Sequence, residues 1–183
     1  MIKLSILIAI FSTILIQNLF AQKVILTNEK KYSNISYLLI HPAHKVYATS
    51  KELETKVEFD KTTNQVTNVI ARVKVSTFDS QNSNRDSHAM ELIEAIKYPY
   101  SSFQSNKIVY KQDSVFIYGN LTFHGITKPT QIRAKQWIEN QKLKFKGNFE
   151  ISLEAFGVER PKLLFVPTED TLNFDFYVEF VLK

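Results

Sequence analysis

The amino-acid sequence predicts an all-β protein whose strands form one strongly curled antiparallel sheet or barrel. Two observations lead to this prediction, and a third marks the exception to it. Apolar and polar side chains alternate over most of the chain after residue 50, as they do in strands that bury one face. The two clearest runs, 142–154 and 171–183, are long for strands, which suits a curled sheet better than a flat one. One stretch, near residues 85–96, has the spacing of a helix instead.

The first 21 residues precede this pattern and have the composition of a secretory signal peptide. Lys3 is their only charge, an apolar stretch runs from Leu4 to Ile16, and Ala21 ends the segment. A basic start, an apolar middle and a small final residue are typical of such peptides. An uncleaved membrane anchor is the alternative, but a span needs about 20 apolar residues. We predict a signal peptide at 1–21, one domain at 22–183, and a periplasmic or extracellular location.

The composition narrows the class of protein further. The chain has 183 residues, 23 Lys and Arg against 18 Asp and Glu, 13% aromatic residues and no cysteine. The absence of cysteine excludes disulfides, cysteine-ligated metals and thiol catalysis. A pI of about 9.2 in an exported protein indicates solubility or transient attraction to a membrane surface rather than nucleic-acid binding. Four glycines are too few for glycine-rich phosphate loops, and many aromatic residues indicate an apolar interior.

The strands are counted from Ile35. Weaker alternation marks residues 53–59, 69–75, 103–110, 115–123 and 130–138, before the two long runs. This gives eight strands, with Val24–Thr27 as a candidate ninth. The apolar positions of the two long runs are Leu143, Phe145, Phe149, Ile151 and Leu153, then Leu172, Phe174, Phe176, Val178, Phe180 and Leu182. Lysines and carboxylates, Glu179 among them, lie between these positions and are therefore predicted on the wet face.

The helix is predicted from residue 85 to residue 96. Ser83 and Asp86 form a helix-start signature, and Pro99 prevents continuation. The apolar stripe consists of Ala89, Met90, Leu92, Ile93 and Ile96. A short helix between two strands can close one end of a barrel.

Two groups of polar residues are candidates for chemistry. His41 and His44 flank Pro42-Ala43 and can converge in a turn, but zinc needs three or four ligands. Residues 79–88 contain serines, two aspartates and His88, the side chains used for nucleophilic hydrolysis. No nucleophile-elbow pattern surrounds these serines, so a strand-to-helix loop with internal hydrogen bonds is the simpler interpretation.

Three motifs in order give the chain a family resemblance. They are Arg85-Asp-x-His88, Tyr98-Pro-x-x-x-Phe103 and Gly119-x-Leu-Thr-x-x-Gly-x-Thr127. Together with a terminal Phe156-Gly157 before a long strand, this series resembles the YceI-like family of secreted bacterial proteins over about residues 35–182. The chain departs from the family pattern by about two fewer residues between His88 and Tyr98, and by Leu92-Ile93 in place of a Phe-Phe pair.

The resemblance implies an extended eight-stranded, antiparallel, lipocalin-like barrel with one short helix at about 85–96 and an apolar tunnel. It further implies a long-chain amphiphilic lipid as partner, such as a polyprenyl quinone or a fatty amide. Neither catalytic residues, metal nor cofactor is implied, apart from such a bound lipid or polyprenyl quinone. The oligomeric state stays open.

The predicted function is therefore sequestration or transport of an isoprenoid or fatty-chain amphiphile. The residues predicted to line the tunnel are Val73, Val75, Leu121, Phe123, Phe145, Phe149, Ile151, Phe174, Phe176, Val178 and Phe180. Its polar mouth is predicted at His41, His44, Arg85, Asp86, His88 and His124. Two alternatives remain: a barrel filled by its own rings that acts in protein–protein or cell-surface interaction, and a metal-dependent enzyme that uses the histidines.

Overall fold

A computed structural model describes residues 23–182 of the chain. The predicted signal peptide at 1–21 lies outside the described residues. The strands of the main sheet are β1 Lys23–Thr27, β2 Asn34–His41, β3 His44–Ser50, β4 Glu54–Asp60, β5 Gln65–Lys74, β6 Tyr100–Lys111, β7 Ser114–Phe123, β8 Ile126–Glu139, β9 Lys142–Ser152 and β12 Thr171–Val181. Two short strands, β10 Lys162–Leu163 and β11 Val166–Pro167, form a separate hairpin.

The predicted all-β, curled antiparallel architecture is confirmed. Within residues 23–182 the main sheet has ten strands in the order β1-β4-β5-β6-β7-β8-β9-β12-β2-β3, and every pairing is antiparallel. The two long runs are neighbours, paired from Thr171 opposite Ser152 to Val181 opposite Lys142. The strand number exceeds the predicted eight because residues 34–50 fold back at Pro42-Ala43 into two strands, with His41 opposite His44, and because β1 joins as a tenth.

The barrel has two ends, which differ in their connections. The helix end carries the connections between β2 and β3, β5 and β6, β7 and β8, and β9 and β12. The far end carries the tight turns at 61–64, 112–113 and 140–141. Towards the far end the inward side chains Phe59, Leu143 and Phe180 are almost completely buried, at most 2% exposed.

The segment that follows β1 forms a polar seam between β4 and β12, two strands that are not paired with each other in the sheet. The Asn28 side chain donates to the Leu53 carbonyl at 2.9 Å and accepts from the Thr55 amide at 2.7 Å. Nearby, the Glu29 amide donates to the Glu179 carbonyl at 2.8 Å. The prediction that Glu179 faces solvent is wrong, because the segment that follows β1 covers this part of β12 and leaves the residue 5% exposed.

The helix, α1, spans Ser83–Leu92, so the predicted range of 85–96 is shifted. It begins one residue earlier than the capping signature indicates, because the Asn82 side chain accepts from the Arg85 amide at 3.1 Å. It ends early because Glu94 adopts a left-handed conformation with φ of 46°. Ile96, predicted in the apolar stripe, is consequently fully exposed. No helix within residues 23–182 is long and apolar enough to cross a bilayer.

The hairpin of β10 and β11 has no counterpart in the sequence-based prediction. Its turn residues Leu164 and Phe165 have φ of 49° and 71°, which is the two-residue type I′ geometry normally occupied by Asn-Gly. Large side chains are rare in this left-handed region, and each such residue costs about 1–3 kcal/mol. The chain therefore maintains an unfavourable turn at the helix end of the barrel.

Candidate functional site

Two adjoining cavities lie inside the barrel. The lower chamber, towards the far end, has a volume of about 90 Å³, and the upper chamber, beneath α1, has about 110 Å³. They share the wall residues Ile35, Val73, Ser101, Leu121 and Phe149. We call the two chambers together the lumen, because shared walls place them end to end along the barrel axis.

The walls of the lumen are almost entirely hydrocarbon. The lower chamber is lined mostly by inward-facing residues of the sheet, with Ile117, Phe145 and Phe180 among them. In the upper chamber, α1 and the residue after it add a roof of side chains: Ala89, Met90, Leu92 and Ile93. None of the α1 side chains is fully buried, so the helix covers the lumen without being embedded in the core.

The structure places every predicted tunnel residue on the lumen. Val73, Leu121 and Phe149 border both chambers, Phe145, Phe176, Val178 and Phe180 border the lower one, and Val75, Phe123, Ile151 and Phe174 border the upper one. That these residues contact a ligand stays a prediction.

Strand β2 also contributes wall residues that sequence reasoning missed. Ile35, Tyr37 and Leu39 face the lumen. Leu38 and Ile40 lie between them in the sequence and are apolar too, so the period of two is obscured. The two-residue spacing of Ile35, Tyr37 and Leu39 was the sequence signal that could have identified them as wall residues.

Two inward-facing glycines keep the middle of the barrel hollow. A Cβ atom at Gly119 would lie 2.6 Å from Cζ of Phe103, and one at Gly147 would lie 2.5 Å from Cζ of Phe176. The ring of Phe103 therefore packs against the backbone of Gly119, and the ring of Phe176 against that of Gly147, so both rings lie along the wall of the barrel. Phe149 is likewise flat against its neighbour on β12, since its ring stacks on that of Phe174 with centroids 4.8 Å apart and planes 9° apart.

Near the roof, the polar groups belong to a tightly bonded loop. The Arg85 guanidinium donates to Oγ and to the carbonyl of Ser80 at 2.8 and 2.6 Å. Asp86 accepts hydrogen bonds from the amide and the hydroxyl of the same serine and also borders the upper chamber. Tyr37 faces this chamber as well, and its pKa is raised by burial and then by the negative charge of Asp86. Tyr37 therefore keeps its proton and can donate a hydrogen bond.

The His41 and His44 pair has a structural environment at the end of β2. His41 is 6% exposed. Its Nε2 donates to the Val166 carbonyl at 3.0 Å, and its Nδ1 accepts from the Ala43 amide at 3.1 Å. One neutral tautomer satisfies both bonds. His44 is exposed, with its ring 5.1 Å from that of His41. Neither residue borders the lumen.

The other two histidines are separate from this pair. His88 is exposed on α1, 3.9 Å from Glu91. His124 lies in the turn between β7 and β8, where Nδ1 is 3.0 Å from the Phe156 carbonyl and Nε2 is 3.1 Å from Glu94 Oε2. The structure therefore does not assemble the six predicted mouth residues; Asp86 is the member that borders the lumen. Within residues 23–182, no three histidines or carboxylates are grouped as metal ligands.

A polar plug closes the far end of the barrel. The Tyr110 hydroxyl accepts from the Val66 amide at 2.6 Å and donates to Gln136 Oε1 at 2.7 Å. The amide of Gln136 donates in turn to the Asn64 carbonyl at 2.7 Å. Burial raises the pKa of Tyr110 to about 12. These bonds bridge β5, β6 and β8 at this end of the barrel.

The chain is similar to known proteins in both sequence and fold. A model of the YceI-like domain matches residues 27–180. The UPF0312 protein of Azotobacter vinelandii is 24% identical over 146 residues, which are 74% of this chain and 76% of that protein. Protein YceI of Salmonella newport is 26% identical over 110 residues, 58% of either chain.

Solved structures share the fold. The crystal structure of BcnA from Burkholderia cenocepacia superposes with a TM-score of 0.75 at 18% identity, over 83% of this chain and 98% of that chain. A polyisoprenoid binding domain from Saccharophagus degradans, implicated in plant cell wall breakdown, superposes with a TM-score of 0.65 at 10% identity, over 87% and 98%. The family match covers nearly all of the described residues, and the chain belongs to the YceI-like family.

Proposed function

We propose that this protein is an exported carrier that holds the hydrocarbon chain of an isoprenoid or fatty amphiphile in its lumen. The observation that carries the proposal is the pair of adjoining chambers with hydrocarbon walls. The polyisoprenoid-binding description of the related Saccharophagus domain supports the same ligand class. A barrel filled by its own rings would leave no such chambers, so the volume disfavours the interaction-protein alternative.

The chambers have the right size and surface for a chain. An apolar cavity of about 150 Å³ stays dry and binds benzene, and volumes of about 90 and 110 Å³ lie end to end here. Burial of one methylene contributes about 0.8 kcal/mol, so a five-carbon isoprene unit contributes about 4 kcal/mol before association costs. On the benzene scale the two chambers together admit about one to two units, whose contribution of about 4–8 kcal/mol is comparable with an association cost of several kcal/mol. Affinity therefore needs no charged partner on the ligand.

The head group is proposed to lie under the roof rather than at the far end. The far end is closed by the Tyr110 plug. In the upper chamber, Tyr37 presents a protonated hydroxyl and Asp86 a carboxylate. A quinone or amide carbonyl can accept from Tyr37, and a ligand hydroxyl or amide can donate to Asp86. The chain would thus enter tail first, with its polar end next to the loop that precedes α1.

The test compares two phenylalanine substitutions on β5. Val73 borders both chambers, so Val73→Phe places a ring in the lumen. Ile70 is 47% exposed on the same strand, so Ile70→Phe adds the same ring outside. Natively purified proteins are extracted with organic solvent and the extracts analysed by mass spectrometry.

We expect a stoichiometric lipid from the wild type and from Ile70→Phe, and a loss of at least about fivefold from Val73→Phe, because the added ring excludes chain carbons. Thermal unfolding establishes that all three proteins are folded. Ala71→Leu, a smaller addition to the lower chamber, serves if Val73→Phe does not fold. The proposal is wrong if the folded wild type yields no lipid, or if a filled lumen retains as much lipid as the wild type.

A further inference from the structure

The hairpin of β10 and β11 exposes four consecutive apolar side chains, which we call the apolar tip. They are Leu163, Leu164, Phe165 and Val166, exposed by 45%, 83%, 97% and 44%. Other exposed apolar residues of the described chain, such as Ile25 and Ile70, stand singly on strands. Scattered apolar residues are normal on a surface, whereas a contiguous group marks an interaction site.

The base of the hairpin is held firmly to the barrel. The Thr168 amide donates to the Pro161 carbonyl at 2.8 Å and closes the hairpin itself, whereas the Glu169 amide donates to the Ile40 carbonyl of β2 at 2.8 Å. Buried His41 adds a second bond between hairpin and barrel, to the Val166 carbonyl at 3.0 Å. The apolar tip is therefore a fixed projection whose backbone is bonded to the end of β2.

The charges beside the apolar tip are neutralised within the protein. Lys162 Nζ lies 2.7 Å from Glu159 Oε1, and Arg160 Nε lies 2.9 Å from Glu154 Oε1. The two cations that precede the apolar tip, Arg160 and Lys162, are therefore each paired with a carboxylate. With these charges paired, the apolar tip matches the uncharged acyl region of a bilayer better than a charged protein or an anionic lipid head group.

The apolar tip lies at the end of the barrel where the lumen is roofed. Val158 and Pro161, in the chain segment that leads into the hairpin, border the upper chamber. Ile96, which is fully exposed, lies in the connection between α1 and β6 at the same end. A surface in contact with the apolar tip would thus also be near the roof of the lumen.

We propose that the apolar tip inserts into the acyl region of a lipid bilayer and docks the helix end of the barrel on the membrane. This inference rests on the proposed carrier function, because a carrier must meet the membrane that holds its ligand. Docking places the roof of the lumen at the bilayer surface, so a lipid can pass between membrane and lumen with little exposure of its chain to water.

The turn offers an unusual test, because the preferred sequence for its geometry is also polar. The double variant Leu164→Asn/Phe165→Gly installs the Asn-Gly pair that type I′ turns favour, so its melting temperature should equal or exceed that of the wild type. The matched control is Ile25→Asn, which removes an exposed apolar side chain from β1 towards the far end of the barrel, where Ile25 lies opposite Glu58. Binding is measured by co-sedimentation with phosphatidylcholine vesicles.

We expect the double variant to bind these vesicles at least about tenfold more weakly than the wild type, while Ile25→Asn binds as the wild type does. Added phosphatidylglycerol or salt should change wild-type binding less than twofold, since the docking surface is uncharged. Equal binding by wild type and double variant would overturn the proposal. So would binding that requires anionic lipid, or a dimer, seen by analytical ultracentrifugation, that the double variant abolishes.

The assay uses protein stripped of lipid by solvent exchange and refolded, so its result is independent of ligand content. If the natively purified protein contains lipid but the stripped protein ignores vesicles, docking is wrong and the carrier function stands. If vesicles are bound through the apolar tip but no lipid is ever recovered from the lumen, the carrier function is wrong.

Discussion

Glu179 provides the sharpest prediction about stability, because its carboxylate is buried beside the polar seam and bonded to side chains of β9 and β12. The side chain is 6% exposed. One carboxylate oxygen accepts from Lys142 Nζ, and the other accepts from the Tyr177 hydroxyl at 3.1 Å and lies 3.9 Å from Lys144 Nζ. The backbone of the same residue accepts from the Glu29 amide. Its replacement by glutamine removes the charge and keeps the shape.

We expect Glu179→Gln to lower the free energy of unfolding by about 2 kcal/mol at pH 7, since a hydrogen bond to a charged group contributes about 1.5–3 kcal/mol. For a domain of this size the melting temperature should fall by about 4–8 °C. Glu159→Gln is the matched control. Its carboxylate also pairs with a lysine, Lys162, but is 71% exposed, and such pairs contribute at most about 1 kcal/mol.

The difference in stability between the wild type and Glu179→Gln depends on pH, and its direction follows from the sign of the pKa shift of Glu179. Burial by itself raises the pKa of Glu179, but the hydrogen bonds from Lys142 and Tyr177 and the nearby lysine charges outweigh it, so the pKa is lower than the ordinary value of 4.5. A carboxyl with a lowered folded-state pKa contributes stability that is complete above its unfolded pKa and is lost as pH falls through the folded value.

The melting temperatures of the wild type and of Glu179→Gln should therefore differ most above pH 4.5 and converge as the pH falls below it. Melting temperatures of both variants and the wild type, measured by circular dichroism between pH 3 and 7, test this. The reasoning about this carboxylate is refuted if Glu179→Gln has the melting temperature of the wild type at pH 7, or if its lower melting temperature persists unchanged in acid.

Two further predictions concern the ends of the barrel. Tyr110→Phe should lower the melting temperature at pH 7, because it removes the hydroxyl that donates to Gln136. In the wild type the pKa of this hydroxyl is raised to about 12, so its contribution to stability is complete below pH 10 and is lost as pH rises towards 12. The difference in melting temperature between Tyr110→Phe and the wild type should therefore shrink above pH 10. Gly125→Ala should loosen the roof, because Gly125 has a φ of 73° and an added Cβ would lie 2.4 Å from Cε1 of Tyr98; faster hydrogen exchange in residues 93–99, with β9 unchanged, is the expected result, and unaltered exchange would contradict it.

The parts of the fold that could be predicted are those in which neighbouring residues carry the information. In β9 and β12 apolar and polar residues alternate over most of the strand, so the inward face can be identified from about a dozen residues, and Phe145 and Phe176 do border the lumen. In β2 the same geometry is hidden because Leu38 and Ile40 are also apolar. Local periodicity identifies a face only where the outer face is polar.

The remaining features depend on contacts between distant residues. Glu179 is buried by a segment about 150 residues earlier in the chain, through Glu29 and its neighbours. His124 meets Glu94 across 30 residues, and no local pattern indicates that pairing. The turn at Leu164-Phe165 contains none of the residues that mark turns, so the hairpin could not be predicted. A local preference that the fold overrides in this way is expected at functional positions.

The bare backbone at Gly119 and Gly147 has a consequence for how cargo capacity could change. An added Cβ at either position would meet a main-chain oxygen, at 2.2 Å from Gln104 and at 2.5 Å from Arg133, so even alanine there would force strands apart. On β5, by contrast, Ala71 and Val73 border the hollow with small side chains that can grow. Redesign of the lumen for shorter or longer molecules should begin on β5, where larger or smaller side chains change the space available, and should leave both glycines unchanged.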